Sequence, residues 1–301
     1  MSTAIVIFAF NRPRHLKATI EHLKLNPEFG TLPVFVFVDG PRNEEDVKAV
    51  NDVKAIANAI PVKNLNIVAR DNNLGLKRSV ITGISHVFEQ FDQAMILEDD
   101  ICVSPNFLQF HLQALDTLKH REDIWSVSGF VIPEIGEKCQ KITGQDTVLA
   151  KRASSWGWST WKSRWIKANF DSQYVLSQLR LNHQLYGQTG GDKLRMLVRE
   201  LSGNSSSWAI IWDYNHFLNN GYCLYPVRSL IRNIGLDNSG THSKPLKAYE
   251  VEQLNADTIT INKDIQVNQD VLKVFAKINS KPYRWPLDYW RLLSVIRKIK
   301  S

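Results

Sequence analysis

Cysteine is scarce in this chain. Its three residues, Cys102, Cys139 and Cys223, stand far apart, and no C-x-x-C pair occurs. That excludes a disulfide framework and a thiolate zinc site, and fits buried thiols in a reducing, cytosolic setting. Long apolar runs are missing as well, since none approaches the roughly 20 residues of a membrane-spanning helix. No secretion leader is expected, because Met1-Ser2-Thr3 leads straight into the strand-like run Ala4 to Phe10. The sequon Asn204-Ser205-Ser206 then carries no meaning. G-x-x-x-x-G-K-[ST], H-E-x-x-H and a G-x-G-x-x-G after the first strand are all absent, which argues against a phosphate-loop enzyme, a zinc protease and a dinucleotide fold. No internal repeat or low-complexity tract interrupts the chain.

What is present is an ordinary globular composition of 301 residues, 44% hydrophobic and 22% charged, enough for one elaborated domain or two closely joined ones. The formal charge of +7 points to an anionic partner: nucleic acid, an acidic lipid surface or a nucleotide diphosphate. Nucleic acid is set aside, since basic and aromatic residues are not interleaved as a recognition element. Part of the excess sits in Tyr289 to Lys300. There Trp290, Leu293 and Ile296 alternate with cations at helical spacing, as in a basic helix that docks on the protein's own core or on an anionic membrane face.

The first hundred residues alternate between two periods. Residues 4–10, Leu32 to Val38, Leu65 to Ala69 and the run from Met95 read as buried strands. His15 to Leu25, Glu44 to Ala59 and Ser79 to Phe91 read as helices. Near-continuous apolar strands separated by helices predict an α/β fold with a mostly parallel sheet covered on both faces. Further on, Phe107 to Leu118 and Trp208 to Leu218 suit helices, and Trp125 to Gly129 and Cys223 to Pro226 suit strands. Trp156 to Trp165 is dense in tryptophan, as a core or a sugar-stacking surface would be.

One stretch demands a chemical explanation. Met95-Ile96-Leu97 runs directly into Glu98-Asp99-Asp100, and three adjacent carboxylates at the end of a buried strand repel one another as well as losing water. A solvated acidic turn would relieve this; so would a cation. The all-oxygen ligand set favours Mg²⁺ or Mn²⁺ bound together with a phosphorylated substrate. Successive strand side chains point opposite ways, so a turn at Asp100 would let the three take separate tasks. Ligands of such sheets gather at the carboxyl ends of the strands. Asn11-Arg12, Asp39-Gly40 and Asp71 fall at those ends too.

Further residues invite roles. Arg12 offers a guanidinium fork for phosphate or a base edge, and Asp39 an acceptor for a base N–H or ribose hydroxyl. Asp213, between Trp212 and Tyr214, suits a desolvated general base or a plain helix-surface acid. His242, in the polar loop Asn233 to His242, suits a metal ligand, a diphosphate contact or an exposed loop histidine.

Taken together, Ile96 to Phe107 and Trp125-Ser126-Val127-Ser128 resemble the core of N-acetylglucosaminyltransferase I and of bacterial sugar transferases with the same GT-A fold. Phe10-Asn11-Arg12-Pro13, Val38-Asp39-Gly40, Asn73-Leu74-Gly75, Gly157-Trp158 and Ser239-Gly240-Thr241-His242 extend the likeness over most of residues 4–245. The resemblance implies an inverting, metal-dependent transfer from a UDP-sugar to a glycan or lipid-linked acceptor. It implies Asp100 on Mn²⁺ (or Mg²⁺), Asp99 on ribose, Glu98 on a donor-sugar hydroxyl, and Arg12 and Asp39 at the uracil. Lys77, just past Asn73-Leu74-Gly75, and His242 join the donor-binding set. Asp213 becomes the base, with Asp171 or Glu200 as alternatives. The expected layout is a nucleotide-sugar half over residues 1–128, an acceptor-side half over 129–250, and an extension over 251–301. A nucleotidyltransferase making activated sugars and a non-catalytic glycan-binding scaffold are the competing readings. The expected location is cytoplasmic, with peripheral attachment at the inner membrane face through the basic C-terminal helix.

Overall fold

The computed structural model describes residues 1–237, 247–279 and Ser294. His242 and, apart from Ser294, the basic segment at 288–301 lie outside the described residues.

The chain opens with β1 (Thr3–Ala9), α1 (Pro13–Leu23), β2 (Val34–Val38), α2 (Glu44–Asn58), β3 (Leu65–Ala69), α3 (Leu76–Val87) and β4 (Gln93–Glu98). These four strands run parallel in the order β3-β2-β1-β4. β1 shows why the strands are apolar at nearly every position. Ile5 and Ile7 enter one core, under α1 and α2, while Ala4, Val6 and Phe8 enter a second, under α3. Both faces are covered, so both phases of the pleat must be apolar. The expected α/β fold with a mostly parallel central sheet is therefore present, and Leu65–Ala69 is found at its predicted bounds. α1 and α3 begin earlier than their apolar periods suggest. Pro13 supplies the preset first turn of α1, and Gly75, at φ 74°, starts α3.

Beyond β4 the chain turns at Asp99-Asp100 and continues as β5 (Ile101–Val103), α4 (Phe107–Thr117), β6 (Ile124–Ser128), α5 (Pro133–Thr143) and β7 (Thr147–Ala150). Then follow β8 (Trp158–Trp161), α6 (Lys162–Trp165), α7 (Ser172–Gln188), α8 (Gly191–Leu201), α9 (Trp208–Leu218), β9 (Tyr222–Pro226), β10 (Ile231–Asn233) and α10 (Gln269–Asn279). β8 slots antiparallel between β4 and β6, and the eight-stranded sheet ends β8-β6-β9-β7. β5 leaves the sheet to pair antiparallel with β10. The tryptophan-rich stretch is thus largely core: Trp158, Trp161 and Trp165 are buried, Trp158 stacked on Trp208 with ring centres 5.4 Å apart. Val251, Ile259, Ile265, Val271 and Phe275 belong to the same core cluster as β1, so residues 251–279 pack back onto the sheet's α5 side. Among the described residues no helix is long and apolar enough to cross a membrane.

His111 illustrates how this core responds to acid. It is fully buried in α4 with Nδ1 2.7 Å from Ser159 Oγ, and burial lowers its pKa from the ordinary 6.5 to about 3. The unfolded chain binds a proton below 6.5 while the native chain does not until about 3, so stability falls as the pH drops through that window. An His111→Asn protein should lose less stability than wild type between about pH 7 and pH 4.5, measured as the urea midpoint. Equal losses in the two proteins would contradict the assignment.

Candidate functional site

The acidic triplet sits where β4 stops. The parallel pairing of β4 with β1 brings Phe8 beside Glu98, and this carries Phe10 to Arg12 over the turn that follows. Phe10 N–H donates to Asp99 Oδ2 at 3.4 Å, and the Arg12 guanidinium makes a short hydrogen-bonded ion pair with Asp99 Oδ1. The same Nη2 lies 2.9 Å from Asp100 Oδ2. Thr19 Oγ1 donates to the Asp99 carbonyl at 2.8 Å, and Ile234 N–H to the Asp100 carbonyl at 2.9 Å. The backbone of the turn is thus held from α1 on one side and from the segment after β10 on the other.

Its side chains are under electrostatic stress. Burial, then the charges of Asp100 and Asp99, push Glu98 up to about 8, although its side chain remains partly open. Burial lifts Asp99 to about 6 against the pull of Arg12. Burial by itself would lower the Arg12 pKa, but Asp99 and Asp100 outweigh it and hold the guanidinium charged. One buried atom of the turn is left with nothing to bind: Asp100 Oδ1 has no hydrogen-bond partner among the described residues. A desolvated carboxylate oxygen without a donor is costly, and it fits a site meant to be completed by a cation. Among the described residues no group of three or more His, Cys, Asp or Glu side chains is arranged to hold a metal unaided. Mg²⁺ and Mn²⁺ do not require that, since one or two carboxylates together with water and substrate phosphates suffice for Mg²⁺, and Mn²⁺ takes similar ligands.

The triplet opens on a cleft of about 480 Å³, which Arg12 and Asp39 also line. Asp39 is buried at the end of β2, and its carboxylate accepts from the N–H groups of Leu74 at 2.9 Å, Gly75 at 3.0 Å and Gly40 at 3.2 Å. It therefore shapes the loop that starts α3 as well as facing the cleft. Arg42 lies over the Phe10 ring at 4.9 Å and pairs with Asp46. Trp156, Ser206, Asn233, Gly235 and Leu236 line the same cleft. Gly235 leaves room for the ion pair, since a Cβ there would run into the Asp100 carboxylate and the Arg12 guanidinium and displace them.

Other residues singled out in the sequence lie elsewhere. Lys77 and Glu200 are absent from the cleft lining and pair with each other at 2.5 Å. Glu200 also accepts from Ser207 N–H at 2.6 Å, fixing the loop that bears Ser206. Asp171 caps α7 by accepting from Tyr174 N–H at 2.8 Å. Asp213 does not line the cleft either; it is 4% exposed. Its carboxylate takes an ion pair from buried Lys193 at 2.9 Å and hydrogen bonds from Tyr186 OH at 2.8 Å and Ala153 N–H at 2.7 Å. Burial opposes its charge, but Lys193 and Arg152 prevail and hold Asp213 below the ordinary carboxylate range. Lys193 Nζ donates to the Lys151 carbonyl at 2.7 Å, and Arg152 pairs with Asp192 at 2.7 Å. The network ties down residues 151–153, three positions before Trp156.

Sequence reasoning passed over Arg42, Trp156 as an individual residue, Ser206 and Gly235. Only Trp156 and Gly235 carried a signal, the first as part of the tryptophan cluster and the second within the polar loop after β10.

With this geometry in view, comparison with known proteins gives one family. Residues 2–124 match the family model described as "Glycosyltransferase like family 2". The match covers the parallel strands and the acidic triplet and bears out the likeness to sugar transferases there; it does not single out N-acetylglucosaminyltransferase I. No curated protein matches the chain. Solved structures resemble it distantly. TarS of S. aureus is 12% identical with a TM-score of 0.33, covering 42% of this chain and 21% of its own. TarS 1-349 is 11% identical with a TM-score of 0.45, covering 77% and 60%. Glucosyl-3-phosphoglycerate synthase of Mycobacterium tuberculosis, solved with Mn²⁺, UDP and glucosyl-3-phosphoglycerate, is 14% identical with a TM-score of 0.35, covering 54% and 57%. The chain spans between about a fifth and three fifths of those proteins.

Proposed function

We propose that the chain is a glycosyltransferase that moves a sugar from a nucleotide-sugar donor, a UDP-sugar in the first instance, to a hydroxyl of a glycan or glycolipid. The observation that carries this reading is the buried, unpartnered Asp100 Oδ1 in a cleft shared with Arg12 and Asp39. Asp100 would hold Mn²⁺ or Mg²⁺, and that ion would supply positive charge to the departing diphosphate. Asp99 and Glu98 present acceptors for donor hydroxyls. Asp39, with both carboxylate oxygens already aimed by backbone N–H groups, offers a fixed acceptor for the nucleoside end. Trp156 and Ser206, which also line the cleft, would face the sugar and its acceptor.

Asp213 is assigned a different task from the one the resemblance implied. Its lowered pKa and three committed contacts make it a poor proton acceptor, and it serves instead to clamp the segment leading to Trp156. Asp171 and Glu200 are likewise committed, so none of the three is assigned as the base. Direct displacement with inversion remains the proposed course. Isothermal titration of UDP with and without Mn²⁺ tests the core of the proposal. Metal-dependent binding is expected, and UDP binding that ignores the metal, or none at all, would favour the scaffold reading. A panel of UDP-, GDP- and dTDP-sugars then assigns the donor by nucleotide release.

A further inference from the structure

Among the described residues, the carboxylates of the turn after β4 have one positive partner. Lys77 is paired with Glu200, Arg42 with Asp46, and Arg70 lies 3.9 Å from Asp39 while bonding Ser79. Among the described residues, Arg12 alone lies within ion-pair distance of Asp99 or Asp100, and a single Nη2 reaches both. It is drawn in between side chains that are 4% and 11% exposed, while its own remains 20% exposed toward the cleft. Gly235 packs over the pair so closely that a side chain there would push Asp100 and Arg12 aside, and Ile234 N–H binds the Asp100 carbonyl. The arrangement is a complete, roofed ion pair, yet it leaves Asp100 Oδ1 unsatisfied.

A guanidinium and a divalent cation cannot both be close to Asp100 without strong mutual repulsion. A guanidinium, however, binds the oxygens of a phosphate as readily as those of a carboxylate, with the same planar fork. We infer that Arg12 is a resident counter-ion, which offsets part of the charge of Asp99 and Asp100 in the free protein and passes to the donor's diphosphate when a divalent cation takes its place. The inference rests on the proposed metal role of Asp100. Its consequence is that cation and nucleotide each favour the other's entry. The cation alone must displace Arg12 with nothing to receive it, and the nucleotide alone faces uncompensated carboxylates. Arriving together, they exchange partners with Arg12.

The test reads binding rather than turnover. Free Mn²⁺ is titrated by electron paramagnetic resonance against the full chain, without and with UDP, in wild type, Arg12→Met, Arg12→Lys and Asp100→Asn. Arg12→Met should bind Mn²⁺ alone on the order of tenfold more tightly than wild type, because a positive neighbour has been removed. The increase in Mn²⁺ affinity that UDP produces should shrink by a similar factor. Arg12→Lys keeps the charge without the fork, so its affinity for Mn²⁺ alone should stay near wild type while the UDP-linked increase falls. If Arg12→Met binds Mn²⁺ no more tightly than wild type, or keeps the full UDP-linked increase, the counter-ion role is overturned. Should the methionine variant fail to fold, an undiminished UDP-linked increase in Arg12→Lys overturns that role instead. Asp100→Asn separates the metal site from the counter-ion. Wild-type Mn²⁺ binding in that variant would remove the metal role of Asp100 itself, whatever Arg12 does.

Discussion

An Asp213→Ala protein should unfold with about 3–5 kcal/mol less free energy than wild type, because removing one member of a buried ion pair strands the other. The stranded group is Lys193, 1% exposed, whose ammonium would face Tyr186 and the Lys151 carbonyl with no counter-charge at Asp213's position. Ala153 N–H would lose its acceptor as well. The informative comparison is the paired variant Asp213→Asn with Lys193→Met. It removes both charges, keeps an acceptor for Ala153 N–H and a partner for Tyr186 OH, and should recover most of the lost stability in urea unfolding. Most of the donor turnover should return with it, since Ala153 N–H keeps an acceptor and Arg152 keeps Asp192, while only the bond from Lys193 to the Lys151 carbonyl is given up. A stable but inactive paired variant, where Lys193→Met by itself stays active, would show that the Asp213 carboxylate takes part in the reaction, and would end the clamp assignment.

Asp100→Asn is expected to have the other large effect, this time on chemistry with little change in fold. Asparagine fills the same space under Gly235 and can still accept from Arg12, so the turn should survive. What disappears is the negative charge that would hold a cation against the diphosphate. Loss of one such charge-stabilising group commonly costs about 10²–10³ in rate, and turnover should fall by roughly that factor while Mn²⁺ stops enhancing UDP affinity. Full activity with undiminished metal dependence would place the cation elsewhere. Glu98→Gln should be milder, because Glu98 has no hydrogen-bond or ion-pair partner among the described residues and its proposed contact is a neutral donor-sugar hydroxyl.

Particular residues show why some of this could be read in advance. Val34 to Val38 reads as a strand because every position is buried, an imprint of helices on both faces of the sheet. The sheet's other half was harder. Trp158-Ser159-Thr160-Trp161 has neither a clean alternation nor a helical period, and it becomes a strand only through antiparallel partners on both sides, β4 and β6. α7 carries exposed Leu181 and Leu185, which blurs the apolar stripe that usually marks a helix, and Gly190-Gly191 separates it from α8.

The sequence by itself determined that carboxylates following a buried strand need compensation, because the desolvation and repulsion of Glu98-Asp99-Asp100 are local facts. It likewise determined the parallel, doubly covered sheet that sends those residues to the ligand-binding edge. Only the tertiary structure decided which charge does the compensating. Arg12 reaches Asp99 across 87 positions through the pairing of β1 with β4, and Asp213 is claimed by Lys193, Tyr186 and Ala153 from other elements. Flanking residues set how costly a charge is, but its partner is chosen by folding. Two acids that look equally available along the chain therefore end in opposite settings, one at a cleft with an oxygen to spare and one sealed in the core.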